Sequence, residues 1–224
     1  MKEFLGPVLA VAWKDILLEI RTRDIVVSVL VFSLLVVVVF NFALDVNPGL
    51  VEELAPGILW VAFVFAGVLA MNRAFVLEKD RGSLAGLLLT PVSRDAIYFG
   101  KMLGTFLFML VVEVFFLPVF AVLFNFSVFS PGLVLTILLA TLGFAAVGTL
   151  FSAIAVHTRS REIMLPVLFL PVIMPVIIGA VESSSALIGD GSFVSVDRWL
   201  GLIAAFDIVF LVTCPWVFGL AMEE

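Results

Sequence analysis

The sequence predicts an all-α integral membrane protein, with six transmembrane helices preceded by an amphipathic interfacial helix, and three observations carry this. Of its 224 residues, 63% are hydrophobic and 13% charged, with a mean hydropathy of +1.29. A water-soluble domain must also make a wetted surface and cannot use so much apolar material. Six apolar runs reach the length of about 20 residues that a hydrocarbon core about 30 Å thick demands. Lys and Arg fall almost entirely on one set of connections. The formal net charge of −6 matters less here than where the charges sit.

Residues 1–24 are not a span. Phe4, Leu5, Val8, Leu9, Trp13, Ile16, Leu17 and Ile20 recur at helical spacing, with Lys2, Lys14, Asp15 and Glu19 on the other face. That pattern predicts a helix lying in the interface with its apolar side in lipid. The six-span domain covers residues 25–221, with spans expected at Ile25–Leu44, Ala55–Leu77, Met102–Phe124, Gly132–Val156, Ile163–Val181 and Leu200–Ala221. The first of these is too long for a signal-peptide core and reads as a retained anchor. Short connections leave these residues no room for a separate soluble domain, and residues 222–224 form a tail.

Lys2, Lys14, Arg21 and Arg23 precede span 1, Arg73, Lys79, Arg81, Arg94 and Lys101 surround the connection after span 2, and Arg159 and Arg161 follow span 4. The other side holds Arg198 alone. The positive-inside rule therefore places both termini in the cytoplasm. Pro166, Pro171 and Pro175 fall within span 5. Each removes a backbone donor and crowds the preceding turn, so a kinked or broken helix is expected, either as packing irregularity or as a flexible element beside a pathway.

Several chemistries are excluded. No G-x-x-x-x-G-K-[ST] phosphate cradle occurs, so any energy from ATP must come from a partner. One histidine, His157, and one cysteine, Cys214, cannot make a His/Cys metal cluster or a disulfide within the chain. His157 opens a basic turn and reads as a solvated loop residue. Two acids lie inside predicted spans, Glu113 and Asp207. Glu113 falls about 18 Å beyond Lys101 at 1.5 Å per residue. An ionisable group at such depth is either a functional site or a structural group hydrogen-bonded between helices.

The connection at residues 78–101 is the most informative stretch. Gly82 and Ser83 can end span 2 and cap a short helix, Leu84, Leu87 and Leu88 give that helix an apolar face, Pro91 stops it and Ser93 caps the next. An apolar face flanked by Glu78 and Arg81 suits either a helix docked into a groove on a soluble partner or an interfacial re-entrant helix. Gly100 and Gly104 have the small-x-x-x-small spacing that permits close helix packing. The run Glu78-Lys79-Asp80-Arg81-Gly82-Ser83-Leu84-Ala85-Gly86-Leu87-Leu88-Leu89-Thr90-Pro91-Val92-Ser93-Arg94 resembles the coupling loop of export-type ABC permeases, which docks on an ATPase subunit. With Leu54-Ala55-Pro56-Gly57-Ile58-Leu59-Trp60-Val61-Ala62 and the prolines of span 5, it resembles more narrowly the cytochrome c maturation protein B family of haem exporter permeases. It departs at Asn72 and Ala85, where family members often carry acids.

The resemblance implies an export-type ABC permease fold in the cytoplasmic (inner) membrane, with no catalytic residues and no cofactor bound directly. ATP would sit in a cytoplasmic ABC ATPase partner, and haem would be cargo of the complex, handled by further membrane subunits and a haem chaperone. One copy is small for enclosing a pathway, so a homodimer in membrane lipid is expected, with no nucleic-acid partner. An ABC permease for a lipid, drug or polysaccharide, a proton-coupled transporter using Glu113 and Asp207, and a non-transporting scaffold are the alternatives.

Overall fold

The structure is a computed structural model that describes residues 2–22, 24–44, 48–80, 86, 90, 92–125, 130–155, 161–188 and 193–222. Seven long helices account for nearly all of these, and no strand occurs among the described residues. They are α1 (Lys2–Thr22), α2 (Asp24–Leu44), α3 (Pro48–Asp80), α4 (Arg94–Phe124), α5 (Pro131–Ala155), α6 (Arg161–Ile188) and α7 (Phe193–Ala221). Six of them, α2 to α7, are long and apolar enough to cross a bilayer. The chain is an all-α integral membrane protein with these six helices as its spans.

The helices run up and down, so one end of the bundle gathers the starts of α2, α4 and α6 with the ends of α3, α5 and α7. That end also carries α1. At the centre lies α5, packed on α4, α6, α7 and α3. Its sequence fits an interior position, because Gly143, Ala145, Ala146 and Gly148 let neighbours approach and Phe144 fills the space between them. Phe144 meets Phe63 of α3 and Phe169 of α6 edge-on, with ring centroids 5.1 and 5.4 Å apart, the geometry that ring quadrupoles favour. By contrast α2 is peripheral, with Val27, Val31, Leu35 and Val39 exposed on its outer face, as a lipid-facing span requires.

The structure bears on two expectations. Helix α6 runs unbroken through Pro166, Pro171 and Pro175. Pro171 and Pro175 lie on its exposed side, whereas Leu165, Phe169, Ile173 and Val176 face the core. The prolines thus leave the buried face continuous, and the carbonyls they strand are those of Glu162, Val167 and Pro171 itself. The apolar stripe of α1 is also divided. Leu5, Leu9, Trp13 and Leu17 are exposed, but Val8, joined by Val11 and Ala12, is buried where α1 packs along α4. Asp15 lies on that inward face, because a buried cation waits for it there.

Candidate functional site

The first turns of α4 are held from three sides. Ser93 caps the helix as its sequence position predicts, with the Ala96 N–H donating to Oγ at 3.4 Å and the Ile97 N–H to the Ser93 carbonyl at 3.2 Å. Arg94 donates from Nη1 to the Gly219 carbonyl at 2.8 Å, satisfying an acceptor that the last turn of α7 cannot use internally. Tyr98, wholly buried, donates its hydroxyl hydrogen to the Ala146 carbonyl of α5 at 2.9 Å and packs on Phe99 and Phe218. On the third side Lys101, only 3% exposed, lies 3.7 Å from Asp15 Oδ2, and Oδ1 of the same carboxylate lies 3.0 Å from Lys14 Nζ.

Gly100 and Gly104 bracket this pair. A Cβ on Gly100 would stand 2.6 Å from Val11 Cβ and 2.9 Å from the Val8 carbonyl oxygen, and one on Gly104 would stand 3.2 Å from Asp15 Cβ. The small-residue spacing is therefore used to bring α1 against α4 rather than to join two spans. Sequence reasoning treated Lys101 as one of the charges on a connection. The signal it missed was Lys101 lying between the two glycines, on a face that must meet another helix.

Deeper in the bundle, the two acids flank α5 at the same level. Glu113 of α4 is buried, with Oε1 2.6 Å from the Thr141 hydroxyl, which is also 2.7 Å from the Ile137 carbonyl. Asp207 of α7 is equally buried and fits against α5 where Gly143 has no side chain, Oδ1 lying 2.5 Å from where a Cβ would be. Neither Asp207 oxygen nor Glu113 Oε2 has a hydrogen-bond partner among the described residues. Towards the far end Thr136 and Ser183 share a hydrogen bond of 2.9 Å, and Trp60 Nε1 donates to Ser184 Oγ at 3.0 Å.

Of the connection at 78–101, Glu78 belongs to the last turn of α3, its side chain outside the described residues. Arg81, Gly82, Ser83, Leu84, Leu87, Leu88 and Pro91 also lie outside them, as does His157. Gly86, between them, is exposed, with open space where a Cβ would be. No cluster of three or more His, Cys, Asp or Glu with metal-site geometry occurs among the described residues.

The profile of the family described as CcmB protein matches residues 7–224. The chain belongs to the CcmB family. Heme exporter protein B of Bradyrhizobium diazoefficiens is 28% identical over 213 residues, covering 94% of this chain and 95% of the relative. The protein of the same name from Haemophilus influenzae is 28% identical over 211 residues, 94% of each chain. That of Rhodobacter capsulatus is 30% identical over 172 residues, 75% of this chain and 78% of the relative. The first two of these CcmB relatives each cover 94% of this chain, and the family match over residues 7–224 takes in most of α1, the six spans and the α3–α4 connection.

Proposed function

We propose that this chain is the membrane subunit of an ABC-type complex in cytochrome c maturation. It couples ATP hydrolysis by a cytoplasmic partner to haem export or to release of a haem-loaded chaperone. The observation that carries the reading is the CcmB match over residues 7–224, together with relatives named heme exporter protein B. The structure supports it with an all-helical six-span bundle whose α3–α4 connection leads directly into the tightly held start of α4. The chain contributes no catalysis, since its sequence has no phosphate cradle and the hydrolysis belongs to the partner.

In this reading residues 78–101 dock on the ATPase, both termini lie in the cytoplasm of an inner-membrane complex, and two copies pair beside the haem-handling subunits. Release of the chaperone is the favoured role, because no residue reads as a haem ligand. Deleting the gene should abolish haem loading of c-type cytochromes, and a tagged chain should bring down a stoichiometric ATPase from gently solubilised membranes. Fully loaded cytochromes in the deletion strain would refute the haem assignment. A Leu87→Asp chain should lose at least about tenfold in ATPase affinity, since each 1.4 kcal/mol is about tenfold and a charge set in an apolar groove costs several kcal/mol. Unchanged co-purification would remove the docking contact.

A further inference from the structure

We propose that α1 and the first turns of α4 move as one rigid body, with Asp15 and Lys101 as the positioning residues that clamp them. Displacement of the α3–α4 connection is thereby delivered to the surface helix as well as to the span. The proposal rests on the reading above only in taking the ATPase as the source of that displacement.

Charge and shape fix the same register. Lys101 is buried to 3% exposure and has Asp15 Oδ2 at 3.7 Å; a buried ammonium stripped of its counter-charge is costly, so the pair resists separation. One residue before it, Gly100 runs against Val11 and the backbone oxygen of Val8, and backbone cannot swing aside as a side chain would. Three residues after it, Gly104 lies against Asp15 and Ala12. Val8, Val11 and Ala12 are correspondingly buried, while Leu5, Leu9, Trp13 and Leu17 on the opposite side are exposed. Phe4 extends the contact to Phe99, their ring centroids 6.2 Å apart. At its far end α1 is tied on to the next helix, since Glu19 Oε1 accepts from the Val26 N–H at 3.0 Å. A connection that pulled on α4 would therefore carry α1, and through Glu19 the start of α2.

The experiment combines charge reversal with a reversible cross-link. Asp15→Lys alone and Lys101→Asp alone should each lower haem-loaded c-type cytochrome about tenfold or more, as stranding a buried charge predicts, and the double reversal should restore more than half. Single variants with full cytochrome, or a double variant no better than the singles, would overturn the clamp. The second arm does not depend on haem. In a Cys214→Ala background, Ala12→Cys with Gly104→Cys keeps both Asp15 and Lys101, and a Cβ on residue 104 stands 3.8 Å from Ala12 Cα, a separation that a disulfide can bridge. Oxidised in membranes that contain the ATPase, this pair should give the same disulfide yield, read by mass spectrometry of the digested chain, without nucleotide and with ATP plus vanadate. A yield that falls on nucleotide trapping would show that α1 leaves α4 and would overturn the rigid body. Cytochromes indifferent to deletion of the gene would refute the proposed function, leaving the disulfide yield to decide the clamp by itself.

Discussion

Asp207 occupies a space that exists only because residue 143 has no Cβ. Gly143→Ala should therefore overpack the α5–α7 contact and cost about 1–3 kcal/mol. The same change in an Asp207→Ala background should cost much less, and thermal unfolding of the four chains in lipid nanodiscs gives the coupling directly. On the other side of α5, Thr141→Val removes the hydroxyl that faces Glu113 Oε1, with an expected loss of about 1–3 kcal/mol for the stranded buried group. Thr141→Ser should keep most of it, in the same assay. Both acids were legible in the sequence, because an ionisable residue within an apolar run announces itself. Their neighbours Thr141 and Gly143 were not, since threonine and glycine are ordinary in spans and only the packing of α5 against α4 and α7 gives them a role. Lys101 was misread for the converse reason: a cation near a connection looks solvated until the helix beside it is known.

At the scale of the element, α4 has both of its ends defined by single residues. Ser93 begins it and was legible from its position before a long apolar run. Asn125 ends it in the left-handed conformation, φ 50° and ψ 42°, with its N–H donating to the Ala121 carbonyl. A β-carbon in that region costs about 1–2 kcal/mol unless the side chain compensates locally. Asn125→Ala should accordingly lower the unfolding free energy by about 1 kcal/mol, and Asn125→Gly should match or exceed the parent. For α6 the prolines do not break the helix, and the faces they occupy could not be known from the sequence. Pro171 and Pro175 lie on the exposed side, and Leu165, Phe169, Ile173 and Val176 remain against the core. In α1 the hydrophobic period correctly gave a helix outside the spans, yet the partner that claims Val8, Val11 and Asp15 lies some ninety residues away in sequence and leaves no local trace.

For the whole molecule, the number of spans was the most legible property, since length and apolarity alone decide it. Six crossings put the start of α2 and the end of α7 on one side of the membrane. Reporter fusions ahead of α1 and after α7 should therefore respond alike; opposite responses would mean that one span does not cross. How the spans arrange themselves around α5 was hidden, because every one of them is apolar enough to face lipid or protein. That arrangement bears on how the protein is made. Among the described helices the central α5 is the fifth of seven to be synthesised, and α6 and α7, which pack on it, are finished several seconds later at about 5–20 residues per second. For that interval Thr136, whose hydroxyl pairs with Ser183 of α6 in the finished bundle, has yet to meet that partner. The polar contact between α5 and α6 therefore closes only as the last third of the chain arrives.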